Sequence, residues 1–181
     1  MRMIPGLAYI PDYITEAQQA YVIEEIDKHP WSTELKRRVQ HYGYKYDYTY
    51  KNINESMKVE GLTPWMLFYA SKLTNFFSIP PDQAIVNEYT PGQGIARHID
   101  CRPCFQNTIA SLSLLSPCVM EFTSKADKTD KRELILEPRS LLVLRDEARY
   151  NWFHGIPARK KDDGVERSRR VSVTFRNVIL T

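Results

Sequence analysis

Residues 108–123, TIASLSLLSPCVMEFT, hold two short runs rich in β-branched and apolar residues on either side of Ser116-Pro117. Such a pattern reads as two strands joined by a turn. The texture extends in both directions. AIVNEY (84–89) and GIARHID (94–100) come before it, and ELILE (133–137), SLLVL (140–144) and RRVSVTFRNVIL (169–180) follow. Pro91-Gly92, the charged segment 124–132 and Pro138 separate these runs. Seven short strands at this spacing predict a two-sheet sandwich or jelly roll.

The first third reads differently. Thr15 with Gln18 forms a capping box before EAQQAYVIEEIDK, and Pro30 stops that helix. Thr63-Pro64 opens a second helix, PWMLFYASKLTNFF, closed by Pro80-Pro81. The expected fold is α+β and predominantly β: a double-stranded β-helix core over 81–181 in a single domain spanning 1–181. The helices of 1–80 brace the outside of one sheet.

The chain has 181 residues, 43% hydrophobic and 26% charged, as expected for a globular domain. No apolar run approaches a membrane span, and MRMIPGLAYIPDY lacks the apolar core of a signal peptide. Three cysteines and no secretion signal predict reduced thiols in a cytoplasmic setting, or a nuclear one in a eukaryote. A monomer is expected. The net charge of +3 permits an anionic partner.

Within GIARHIDCRPCF (94–105), His98 and Asp100 are two apart, so on a strand they share a face. They supply two ligands of a 2-His-1-carboxylate triad, which leaves positions open on Fe(II). The third comes from His29, His41 or His154. His29 ends the first helix and His41 lies in a tyrosine-rich segment. His154, in YNWFHGIP, is next to a glycine that allows close backbone approach, and it is the choice by elimination. A competing zinc site would use His98, Cys101, Cys104 and Cys118, but Cys118 has no second cysteine beside it to form a paired knuckle.

The last strand places Val171, Val173 and Phe175 on one face and Arg170, Ser172, Thr174 and Arg176 on the other. Two arginines facing into a barrel call for an anion, and a dicarboxylate matches two guanidinium forks. On a regular strand, though, the two arginines would be roughly 20 Å apart.

Taken in order, NEYTPGQGIARHID, SLSL, VMEF, SLLVL, HGIP and RRVSVTFR resemble the AlkB-type Fe(II)/2-oxoglutarate dioxygenases, closely over 85–178. HID, TFR and a serine at 172 resemble the subgroup found joined to tRNA methyltransferase domains. The resemblance implies iron held by His98, Asp100 and His154. It also implies Arg170 and Tyr89 on the distal carboxylate of 2-oxoglutarate, Asn87 and Arg176 at the chelating end, and Ser172 near the cosubstrate. The activity so implied consumes molecular oxygen, decarboxylates 2-oxoglutarate to succinate and oxidises a nearby C–H bond. An N-methyl target would be lost as formaldehyde, whereas a stable carbon would stay hydroxylated.

Residues 36–50, KRRVQHYGYKYDYTY, alternate tyrosines at 42, 44, 46, 48 and 50. On a strand all five share a face. Beside Lys36, Arg37 and Arg38 they suit a nucleotide strand, with phosphates on the cations and a base on a ring. AlkB-type relatives carry a nucleotide-recognition lid here, so Arg37, Arg38, His41, Tyr42 and Tyr44 become candidate substrate contacts. An enzyme acting on a base takes it flipped or single-stranded, as RNA or DNA. Arg102 stands where repair relatives have an acidic residue. Its donors suit uracil-like carbonyls over the amino edge of adenine or cytosine. Two other readings stand beside this one. The same oxidation could act on a protein or small molecule, or the chain could be a non-catalytic zinc or nucleic-acid-binding module.

Overall fold

A computed structural model describes residues 4–47, 49–50 and 52–180. The chain forms β1 (Leu7–Ile10), α1 (Glu16–Asp27), β2 (Arg38–Tyr42), α2 (Pro64–Lys72) and β3 (Gln83–Tyr89). There follow β4 (Ile95–His98), β5 (Phe105–Leu114), β6 (Cys118–Ser124), β7 (Lys131–Leu136), β8 (Leu141–Leu144) and α3 (Asp146–Tyr150). The last elements are β9 (Trp152–Ile156), β10 (Lys161–Asp162), β11 (Val165–Glu166) and β12 (Arg170–Val178).

Two sheets make the jelly roll. The larger runs β1-β8-β5-β12-β3-β2 and the smaller β4-β9-β6-β7, with β10-β11 a separate ribbon. A sheet of this size must cover both faces, and β12, near its middle, shows how. Val171, Val173 and Phe175 are essentially buried against the helices, together with Val86, Leu112 and Val143. Each such side chain contributes about 1.5–3 kcal/mol over an exposed one. Val22 and Ile26 of α1 and Met66 and Ala70 of α2 complete that layer. The helices thus brace the outside of one sheet, as expected. Between the sheets lies a second core of Tyr89, Met120, Phe122, Leu142, Leu144, Trp152 and Ile156.

The predicted capping box forms: Gln18 N–H donates to Thr15 Oγ1 and Thr15 N–H to Gln18 Oε1. Pro64 opens α2 at its first turn.

Several expectations need correction. The first 80 residues do more than brace, because β1 and β2 join the larger sheet at its two edges. β4 ends at His98, so Asp100 sits in the loop beyond it rather than on the strand. Cys101 and Cys104 are not reduced thiols but a disulfide. The Arg102-Pro103 turn brings their Cα atoms to 5.3 Å, inside the span a disulfide bridges. Cys118 is free and buried. Among the described residues, no helix is long and apolar enough to cross a membrane.

The tyrosine alternation is also not one face of a strand. β2 stops at Tyr42, and Gly43 turns the chain at φ +78° with its backbone against Asp82. Tyr42 is buried in the helix-side core, where its hydroxyl donates to Gln40 Oε1. Burial pushes that phenol up to about 12. Tyr44 packs beside Ile53, Phe105 and Val178, and Tyr50 is exposed. Tyr48 lies outside the described residues.

Candidate active site

The site begins with strand register. β4 pairs antiparallel with β9, and His98 lies opposite His154. Gly155 permits the pairing: a Cβ there would come within 2.9 Å of the Arg97 backbone. The imidazole centroids are consequently 4.5 Å apart. Asp100 joins them from the following loop, its Oδ2 3.4 Å from His154 Nε2. One ligand-type atom from each of His98, Asp100 and His154 lies within 4.8 Å of the other two. Two imidazole nitrogens and one carboxylate oxygen, clustered with the rest of the coordination sphere open to a cavity, fit Fe(II).

The surroundings are arranged for ligation. His98 Nδ1 is 2.9 Å from the Ala96 carbonyl, which fixes Nδ1 as donor and leaves Nε2 to bind a metal. Burial and the neighbouring His154 hold the His98 imidazole down at about 4, in the neutral form a metal needs. Burial by itself would raise the Asp100 carboxyl, but Arg176 and His154 outweigh it and keep the group well below the usual carboxylate range. Arg176 donates twice to Asp100 Oδ1, at 3.1 and 2.7 Å, so Oδ2 is the oxygen left facing the histidines. From behind, the buried Arg149 donates to the carbonyls of Asp100 and Cys101 at 2.8 and 3.2 Å.

A cavity of about 390 Å³ opens between the sheets, and both triad histidines, Asp100, Asn87, Tyr89, Arg170, Ser172, Thr174 and Arg176 line it. Register explains the set. Arg170, Ser172 and Thr174 of β12 face Tyr89, Asn87 and Ile85 of β3 across the inner surface of the larger sheet. Both arginines reach one cavity despite their separation along β12. Arg170 lies over the Tyr89 ring and donates to Ser113 Oγ at 2.9 Å. Its Nε and Nη1, and Arg176 Nη1, are buried without a hydrogen-bond partner. Buried donors of this kind are rare unless a ligand meets them, and a dicarboxylate supplies acceptors for both ends. The donor set therefore fits 2-oxoglutarate.

The expected substrate contacts divide. Arg37 lines the cavity, with its Nε donating to Asn87 Oδ1 at 2.9 Å. Arg38 does not reach it. Arg38 points to the opposite face, binds Glu88 at 2.5 and 2.8 Å, and lies over Trp31. Strand alternation separates the two. Tyr42 is core, and His41 pairs across the strands with Ile85 without lining the cavity; burial there lowers its imidazole to about 4. Tyr44 is outside the lining, and among the described tyrosines of this segment Tyr46 is the one that enters it. Arg102 leans over the Tyr150 ring and donates to its carbonyl.

The zinc arrangement does not assemble. Cys101 and Cys104 are bonded to each other, and Cys118 is packed between the sheets. Sequence reasoning also missed Arg149 and Tyr46. Nothing in DEARY marks an arginine that will reach back to residue 100, whereas Tyr46 was visible as part of the tyrosine series.

Residues 6–176 match the family profile described as the 2OG-Fe(II) oxygenase superfamily. The chain is 39% identical over 203 residues to an Arabidopsis thaliana protein named alkylated DNA repair protein ALKBH8 homolog, covering 97% of this chain and 59% of that one. It is 37% identical to the uncharacterized protein L905 of Acanthamoeba polyphaga mimivirus, covering 96% and 85%. A Xenopus tropicalis tRNA (carboxymethyluridine(34)-5-O)-methyltransferase is 34% identical over 87% of this chain, which spans only 26% of that protein. The fold matches a solved structure of OsALKBH1 with a TM-score of 0.74 at 16% identity, over 98% of this chain and 99% of the other.

Proposed function

Given that the chain belongs to the 2OG-Fe(II) oxygenase superfamily, as an AlkB-like 2-oxoglutarate-dependent dioxygenase, we propose that it oxidises a modified base in nucleic acid. Uridine-type bases are the favoured class. When bound, Fe(II), 2-oxoglutarate and oxygen supply the oxidant, with loss of carbon dioxide and formation of succinate. The protein's part is geometry. His98, Asp100 and His154 hold the metal, and Arg176 keeps Asp100 turned so that one oxygen faces it. Arg170, Tyr89 and Ser172 would hold the distal carboxylate, with Asn87 and Arg176 at the chelating end. The sheets exclude water from the space between.

One observation carries the substrate reading: the cavity is rich in guanidinium donors and poor in carboxylates. Beyond Arg170 and Arg176, which the cosubstrate would take up, Arg37 lines it, and the single carboxylate among the described lining residues, Asp100, is committed to Arg176 and the metal position. A base edge of carbonyl oxygens finds a charged donor there, and an edge of amino groups finds no free carboxylate. The relatives' names support a nucleic-acid substrate, and that of the Xenopus protein refers to a tRNA uridine. The chain spans 59% and 26% of those two relatives, so their whole activities come here only as part of the proposal.

The second reading, a protein or small-molecule substrate, draws on the segment 36–50. Arg38 is paired with Glu88 and Tyr42 is core, which removes two contacts a nucleotide strand would use.

The test is succinate formation by protein loaded anaerobically with Fe(II). Oxygen and 2-oxoglutarate are then supplied with tRNA bearing modified uridines, N-methylated adenine or cytosine in RNA and DNA, or peptides, and formaldehyde is followed in parallel. The proposal expects the strongest stimulation from uridine-modified RNA. Stimulation by peptides alone would replace it with the second reading.

A further inference from the structure

Three guanidinium groups face the cavity, and two have assigned work. Arg176 holds Asp100, and Arg170 stands over Tyr89 with free buried donors. The third, Arg37, precedes β2 and shows no carboxylate partner among the described residues. Its Nε meets Asn87 Oδ1 at 2.9 Å. Asn87 is 8% exposed and lines the cavity. A guanidinium only donates, so this bond permits one orientation of the amide: Oδ1 towards Arg37, leaving Nδ2 as the free edge. Without Arg37 the amide could rotate and offer an acceptor to an anion instead.

The same stretch of chain is pinned from outside. Gln93 Nε2 donates to the Lys36 carbonyl at 2.9 Å, while Gln93 Oε1 accepts from Thr90 N–H at 3.0 Å. Leu35, Arg37 and Tyr46 thus form a wall of the cavity supplied by the segment around β2.

We propose that Arg37 is a positioning residue that orients the Asn87 amide for the 2-oxo acid end of the cosubstrate, and so couples cosubstrate binding to ordering of the 35–46 wall. This rests on the oxygenase reading. A coupling of this kind is reciprocal: a substrate that settles on Leu35 or Tyr46 tightens the cosubstrate by the same factor as the cosubstrate tightens it.

The test uses the full chain loaded with Mn(II), with calorimetry for affinity and amide hydrogen exchange for order. Arg37→Met should weaken 2-oxoglutarate about tenfold, in the range found for lost supporting contacts around a metal site. Succinate, which lacks the 2-oxo acid end, should bind it as it binds the unaltered protein. Asn87→Ala should show the same split, and the double variant should lose no more than either single one. Adding 2-oxoglutarate should slow exchange across 35–46 in the unaltered protein and in Arg38→Met, but not in Arg37→Met or Asn87→Ala. Additive losses, equal weakening of succinate, or protection surviving in Asn87→Ala would each overturn the proposal. Should Arg37→Met fail to fold, the exchange result with Asn87→Ala still decides. No 2-oxoglutarate binding by the unaltered protein would instead overturn the oxygenase reading beneath it.

Discussion

Replacing Arg176 with Met removes two donors from Asp100 Oδ1, at 3.1 and 2.7 Å, in surroundings where the arginine is 9% and the aspartate 7% exposed. The substitution keeps most of the side-chain length, so the loss is electrostatic. Two consequences follow, and they are measurable separately. In the metal-free protein Asp100 keeps only the 3.4 Å approach to His154. Breaking a buried pair on one side typically destabilises a fold by about 3–5 kcal/mol. In the metal-loaded protein the carboxylate is no longer held with Oδ2 towards the histidines. Loss of a group that orients a ligand weakens a metal site about 10–100-fold, or roughly 1.4–2.8 kcal/mol. Urea unfolding of the metal-free form reads the first effect, and Mn(II) calorimetry reads the second. If Arg176→Met unfolds at the same urea concentration and binds Mn(II) as tightly as the unaltered chain, Arg176 does not hold Asp100 and the account of the triad's orientation is wrong.

Arg170→Ala should raise the 2-oxoglutarate requirement strongly, because a carboxylate left without its guanidinium in a buried site loses about 2–5 kcal/mol; an unchanged affinity by titration would remove Arg170 from the cosubstrate site. Cys101→Ser with Cys104→Ser should leave bound iron stoichiometric in elemental analysis, and loss of metal in that variant would revive a thiolate site. His41 should make folding acid-sensitive. Its imidazole is lowered to about 4 by burial, against about 6.5 when unfolded. Below about pH 6.5 the unfolded chain takes up a proton that the folded one refuses, so stability falls as pH drops, by about 3 kcal/mol at pH 4. His41→Gln should flatten that part of the profile in urea melts taken across pH, and parallel profiles would contradict it.

The sequence was most informative where a residue's role depends on its immediate neighbours. The Thr15–Gln18 cap and the two faces of RRVSVTFR follow from helix and strand periodicity, and both are present. Gly155 was readable as a place of close approach. Asp100 reaches the site from a loop, so the alternation that paired it with His98 found a true neighbour through an inexact geometry. Contacts across long stretches of chain were not legible. Arg149 meets Asp100 across 49 residues, and Arg37 meets Asn87 across 50. The tyrosine series misled because its spacing is regular while its backbone is not: Gly43 breaks the strand after the first of them.

The division of β2 bears on how such a protein can change over generations. Arg37, just before the strand, lines the cavity, and Val39 and His41 pair with its neighbours Asn87 and Ile85, whereas Arg38, Gln40 and Tyr42 serve the helix side. Exchanges at 37 alter what the cavity recognises, those at 39 and 41 alter the support of its wall, and both leave the packing beneath the helices as it is. A single residue inserted just before Arg38 would do the reverse of fine adjustment, swapping the two sets and burying Arg38 where Val39 now sits. New specificities in this lineage should therefore arise by point substitution at Arg37 and in the strand behind it, and by changes of length only beyond Gly43, where the chain has left the sheet.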